Sequence, residues 1–208
     1  TSTARRRESR VTSLEWIDAA QNSILMCGSD DGVVRLWTDF ALEERDVRSP
    51  TLKTAFVAAD DLGDPAPTSS GLICAWAQDD GVLFAAGNST LLRAWDARAE
   101  RLAAAWHLHT ATCCTALCTH PDARLVFAAF GDGRLSVVDA RAPSKPVANY
   151  AHEHAAWIVH LSCHGRAATR ELLSGCLDGT AKVWDRRAHK AALRTLHIQT
   201  STMTAFAA

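Results

Sequence analysis

Four segments of the chain align with one another without gaps. They are Leu25–Trp37 (LMCGSDDGVVRLW), Leu83–Trp95 (LFAAGNSTLLRAW), Val126–Val138 (VFAAFGDGRLSVV) and Leu172–Trp184 (LLSGCLDGTAKVW). An internal repeat limits the possible folds more than any bulk property, because every copy must solve the same packing problem. Each copy runs from a short apolar stretch into small residues, then a turn, then an alternating stretch that closes on a bulky apolar residue. Asp31-Gly32, Asp132-Gly133 and Asp178-Gly179 have the composition of hairpin turns, since glycine accepts positive φ without steric cost. In the second copy Asn88-Ser89 takes that place, and asparagine is expected to supply the left-handed residue. Runs such as Val33-Val34-Arg35-Leu36-Trp37 alternate as a half-buried strand does.

The copies end at Trp37, Trp95, Val138 and Trp184, in steps of 58, 43 and 46 residues. A period of about 40–45 residues with four strands per unit marks the blades of a β-propeller. The long first step is assigned to an insert, Ala59–Gly71, whose Asp, Pro and Ser residues predict a surface loop. Inner strands are expected at Val11–Ile17, Gly71–Ala77, Cys113–Thr119 and Trp157–Cys163. Outer strands are expected at Leu52–Ala58, Arg101–His107, Lys145–Ala151 and Ala192–Ile198. A further inner strand is expected to begin at Met203. The expected fold is therefore all-β: a partial propeller of four near-complete four-stranded blades (about 11–58, 71–107, 113–151 and 157–198) plus the first strand of a fifth at 203–208. Residues 1–10, with the basic run Arg5–Arg10, are expected to be a solvated linker end. A chain starting at Thr1 and stopping inside a blade is expected to be a piece of a longer protein, and marginally stable alone, because a repeat array depends on its neighbour interfaces.

The motif GCLDGTAKVWD (Gly175–Asp185) is similar to the WD-repeat consensus, with Trp184-Asp185 as the naming pair. That resemblance implies a hydrogen-bond relay of His154, Ser174, Asp178 and Trp184, which suits a buried imidazole and indole that both need partners. Cys27, Ala85 and Ala128 stand where Ser174 stands, so the other blades are expected to lack the relay and to rest more on apolar packing. GSDDGVVRLW (Gly28–Trp37), LFAAGNSTLLRAWD (Leu83–Asp96), FGDGRLSVVDAR (Phe130–Arg141) and HEHAAWIV (His152–Val159) resemble, in order and spacing, the C-terminal propeller of the raptor family of TOR complex 1 subunits. The resemblance implies a scaffold role in nutrient-responsive growth signalling, with TOR kinase and other complex subunits as partners. It also implies a cytoplasmic location, with recruitment to the lysosome or vacuole surface through those partners.

Chemistry-bearing residues point away from catalysis. A net charge of -1 gives no basic surplus for a phosphate backbone, so nucleic acid is not expected as a partner. No apolar stretch reaches the roughly 18 residues that span a bilayer, and membrane insertion is not expected. Seven cysteines without regular spacing argue against a disulfide framework and for a reducing compartment. Cys114, Cys118 and His120 share a strand face by parity, with Cys113, Cys163 and His164 nearby, yet alternate strand residues lie about 6–7 Å apart, too far to enclose one zinc ion. Neither a phosphate-binding glycine loop nor an activated nucleophile is present, so no cofactor, metal or small-molecule substrate is expected. Trp157, at the mouth of an inner strand, is the expected partner contact, because aromatic anchors dominate binding energy at interfaces; packing on a neighbouring blade is the competing reading. The competing functions are a WD-repeat adaptor of another assembly, such as a ubiquitin ligase receptor, and a propeller enzyme, for which clustered carboxylates or metal ligands at strand starts would be needed.

Overall fold

In the computed structural model the repeats become four separate antiparallel sheets. The structure describes residues 9–17, 23–39, 42–43, 46–47, 49–63, 70–108, 112–120, 124–142, 146–150, 153–163, 171–185 and 192–198. Blade 1 is β1 (Val11–Ile17), β2 (Ile24–Ser29), β3 (Val33–Thr38) and β6 (Thr51–Val57). A two-stranded insertion, β4 (Leu42–Glu43) with β5 (Asp46–Val47), precedes its outer strand. Blade 2 is β7 (Leu72–Ala77), β8 (Val82–Gly87), β9 (Leu91–Asp96) and β10 (Arg101–His107). Blade 3 is β11 (Cys114–Thr119), β12 (Leu125–Phe130), β13 (Leu135–Asp139) and β14 (Ala148–Tyr150). Blade 4 is β15 (Ile158–Cys163), β16 (Glu171–Cys176), β17 (Thr180–Asp185) and β18 (Arg194–His197). The strand expected from Met203 lies outside the described residues, and among the described residues there is no helix.

The turns follow from their residues. Gly32, Gly133 and Gly179 take φ of 77°, 78° and 83°, which an L side chain resists. The second blade departs from expectation: Asn88 is not left-handed, and Gly87 (φ 137°) one position earlier takes the unusual conformation. The long first repeat step also has two sources, the β4–β5 insertion as well as 59–71. The opening of that insert is not a free surface loop. Ala59 is buried, Asp61 is bonded to Arg93 and Ser89, and the Gly63 N–H donates to the Asn88 carbonyl. Residues 64–69 lie outside the described residues.

Each junction between consecutive blades holds one apolar cluster. Met26, Val34, Leu72 and Leu83 join blades 1 and 2. Phe84, Leu92, Trp106 and Phe130 join blades 2 and 3, and Phe127, Tyr150, Ile158 and Trp184 join blades 3 and 4. The inner strands run side by side in the order β1, β7, β11, β15. Bulges interrupt β1 between Val11 and Ser13, β11 between Cys114 and Ala116, and β15 between Ile158 and His160. Two bulge residues are threonines whose hydroxyls leave their own sheet: Thr12 Oγ1 donates to the Leu72 carbonyl at 2.7 Å, and Thr115 Oγ1 to the Ile158 carbonyl at 2.6 Å. An innermost strand exposes a backbone edge that needs partners. For β7 the neighbours supply them: Cys74 N–H donates to Ser13 Oγ and Trp76 N–H to a Glu15 carboxylate oxygen, while Thr119 Oγ1 donates to the Trp76 carbonyl.

Candidate functional site

His154 sits in the turn ahead of β15, where its main chain closes over the Asp132-Gly133 turn of blade 3; a Cβ at Gly133 would stand 2.1 Å from the His154 carbonyl oxygen. Its ring is buried against blade 4. Nε2 lies 2.8 Å from Ser174 Oγ, and the Trp184 indole N–H donates to that same oxygen at 2.8 Å. Nδ1 lies 3.3 Å from Thr180 Oγ1, and Thr180 donates its proton to the Asp178 carboxylate at 2.6 Å. The protons then order themselves. With its own proton spent on Asp178, Thr180 must accept from Nδ1–H, leaving Nε2 as an acceptor for the Ser174 hydroxyl. The histidine is thus neutral and protonated at Nδ1. The hydrogen-bond link from Asp178 to the ring runs through Thr180, a residue that sequence reasoning missed. The available signal was a hydroxyl immediately after the Asp-Gly turn, which Val33 and Arg134 lack.

Burial lowers the His154 pKa from 6.5 to about 4, helped by the Lys182 ammonium nearby and opposed by Asp178. Below pH 6.5 the unfolded chain therefore takes a proton that the folded hub refuses until about pH 4. The stability His154 contributes is complete above pH 6.5 and falls as the pH drops toward 4. Glu15 acts in the opposite sense. Desolvation raises its pKa from 4.5 to about 7, against the lowering effect of the Trp76 N–H, so stability falls as the pH rises between those values. Unfolding free energy measured from pH 4 to 7 is expected to lose its acid-side slope in His154→Gln and its opposing slope in Glu15→Gln. Unchanged slopes in both variants would show that neither group is shifted.

In place of the hub, blades 1 and 2 use charged networks and blade 3 a neutral serine–asparagine pair, so none relies on apolar packing alone. Arg35, Arg93, Ser136 and Lys182 occupy one register position, opposite Cys27, Ala85, Ala128 and Ser174. Arg35 donates to Ser29 Oγ at 2.6 Å and pairs with Asp31 at 3.0 Å. Asp31 is desolvated, yet its bonds to Arg35, Ser29 and the Val33 N–H bring its pKa down to about 2. Arg93, 7% exposed, pairs with Asp61 at 2.7 Å and reaches Ser89 at 3.2 Å. In blade 3 Ser136 donates to the Asn149 side chain at 2.6 Å.

The structure places Trp157 half-buried, with its indole lying over Gly131 of blade 3; a Cβ at Gly131 would meet the ring at 3.0 Å. The expected shared face of Cys114 and Cys118 does not exist. The bulge at Thr115 resets the parity, so Cys114 is buried in the cluster between blades 2 and 3 while Cys118 packs on the cluster between blades 3 and 4. Desolvation raises the thiol pKa of Cys114 well above its ordinary value. Among the described residues, His154, Cys176 and Asp178 are the group whose donor atoms come within 4.8 Å of one another, and both ring nitrogens of His154 are already engaged with Ser174 and Thr180.

The pattern described as WD domain, G-beta repeat matches residues 3–38 and 144–185. The target of rapamycin complex 1 subunit mip1 of Schizosaccharomyces pombe is 30% identical over 93% of the chain, which spans 14% of that protein. The corresponding subunit KOG1 of Saccharomyces cerevisiae is 31% identical over 86% of the chain, which spans 11% of it. The crystal structure of Chaetomium thermophilum Raptor superimposes on 97% of the chain with a TM-score of 0.80 at 25% identity, using 18% of its own length. With its four antiparallel blades and a His–Ser–Trp hub in the fourth, the chain carries WD-type repeats folded as propeller blades and is similar over most of its length to a short part of the raptor-type subunits of TOR complex 1.

Proposed function

We propose that this chain acts as a non-catalytic protein-interaction scaffold within a TOR complex 1 subunit, with TOR kinase and other subunits of the complex as its partners. The homology to named TOR complex 1 subunits over 93% and 86% of the chain carries this reading. Its polar clusters are spent on internal structure, since the hub and the Arg35 network tie together strands and turns of single blades and Arg93 ties blade 2 to the insert before it. Among the described residues no helix is long and apolar enough to cross a membrane. The similarity to TOR complex 1 subunits is what supports a cytoplasmic location with attachment to a lysosome or vacuole surface through partners.

Trp157 is the residue proposed to contact a partner. Its half-buried ring, seated on Gly131, is held in place without being wholly enclosed, which is the state of a pre-organised aromatic anchor. Affinity capture of the tagged full-length protein from its native host, with mass spectrometry, is expected to recover TOR kinase. Trp157→Ala is expected to lower that recovery about tenfold while costing about 1–2 kcal/mol of stability. Recovery of ubiquitin ligase components without TOR kinase would overturn the assignment. Full recovery with Trp157→Ala would reduce that side chain to a packing role.

A further inference from the structure

Between blades 1 and 2 lies a cavity of about 310 Å³, at the small end of the roughly 300–1,000 Å³ of ligand pockets. Leu36 and Phe56 of blade 1 and Trp76 and Trp95 of blade 2 line it, and its charged lining groups are Asp96 and Glu100. The next junctions treat the same space differently. Phe56, Trp106 and Tyr150 occupy one register position on the outer strands, opposite Val34, Leu92 and Leu135. Trp106 is buried, and its indole N–H crosses to the Ala142 carbonyl of blade 3 at 2.9 Å. Tyr150 is buried against Trp184, with ring centroids 5.2 Å apart. Phe56 is smaller than Trp106 and has no polar end; Trp95, which stands where blade 3 has Val138, meets it at 5.4 Å, and the space beside the pair stays open. Ala99, an exposed residue three positions after Asp96, stands in blade 2 where Ala142 stands after Asp139 in blade 3.

We propose that this groove docks a peptide segment of a partner protein that inserts a tryptophan side chain and carries lysine or arginine beside it. The internal comparison selects the inserted group, because an indole is what the fold itself places in the equivalent space one blade on. Charge complementarity selects the flanking residues, because both charged groups lining the groove are carboxylates. Asp96 stays ionised, since the Ala99 and Arg98 N–H groups hold its carboxyl below the usual range. Aromatic walls around an apolar floor also favour a cation beside an inserted ring.

The test titrates full-length protein into a labelled pentapeptide, Gly-Lys-Trp-Lys-Gly, read by fluorescence anisotropy. Companion peptides carry glutamate flanks or alanine in place of tryptophan. The lysine–tryptophan peptide is expected to bind, and both companions to bind at least tenfold more weakly. Phe56→Trp, which supplies the indole from within, is expected to weaken binding at least tenfold without lowering the melting temperature, and Glu100→Gln about threefold. Thr54→Trp, at an exposed position on the rim, is a second block should Phe56→Trp misfold. Equal binding of the glutamate-flanked peptide, absence of binding to the unmodified protein at millimolar concentration, or unchanged affinity in both blocking variants would overturn the proposal. Capture of TOR kinase reads the assembly and peptide affinity reads the groove, so either result can fail without the other.

Discussion

Trp184→Ala is expected to lower unfolding stability by about 3–5 kcal/mol, the range for emptying a buried aromatic site. The indole is 1% exposed, meets Tyr150 of the preceding blade in a tilted ring contact, and donates to Ser174. Its loss would open a cavity at the junction of blades 3 and 4 and leave Ser174 without one of its two partners. Trp184→Phe separates these effects. It keeps most of the packing and removes the donor, so about 1–2 kcal/mol is expected. Denaturant unfolding followed by circular dichroism measures both. A loss below about 1 kcal/mol for the alanine variant, against that cavity expectation, would mean that the hub does not hold the two blades together.

Gly32→Ala is expected to cost about 3–4 kcal/mol through a different mechanism, backbone strain combined with collision. The residue sits at φ 77°, and an added Cβ would stand 1.9 Å from the Ala59 carbonyl oxygen. That neighbour is main chain and cannot swing aside as a side chain would. The Gly32 carbonyl also accepts from Ala58 and Ala59 N–H, so displacement would loosen the exit of β6 and the leg of the insert pinned by Arg93. The expected signature is a lowered melting temperature, together with faster hydrogen exchange at Ala58 and Ala59. A variant as stable as the parent would show that this turn can relax without cost.

The hairpins were readable in the sequence because their cause is local. An Asp-Gly pair between apolar runs specifies a turn, and a period of about 40–45 residues specifies stacking blades. Observed strands such as Val11–Ile17 and Arg101–His107 therefore fall where the pattern put them. Features that depend on register or on contacts distant in the chain were not readable. Counting by twos assumes one residue per rung. The bulge at Thr115 breaks that assumption and moves Cys114 and Cys118 to different junctions. Thr180 entered the hub only when the fold brought His154 across to it. The arginine networks left a faint trace, an arginine central to both VVRLW and LLRAW, but their partners Ser29, Asp61 and Ser89 come from the end of a strand, an insert and a turn.

The two bulge threonines carry a consequence for how the blades present their loops. Apolar clusters between sheets are tolerant of sliding, since oily surfaces have no preferred notch. A hydroxyl locked onto a main-chain carbonyl does have one: a shift of a single rung would strand the Leu72 or Ile158 oxygen and orient Thr12 or Thr115 toward the wrong atom. These latches set the height of one blade against the next along the propeller axis. Loops of blades 1 and 2, and of blades 3 and 4, are thereby kept level with each other, and a partner spanning either pair meets a surface whose step does not drift.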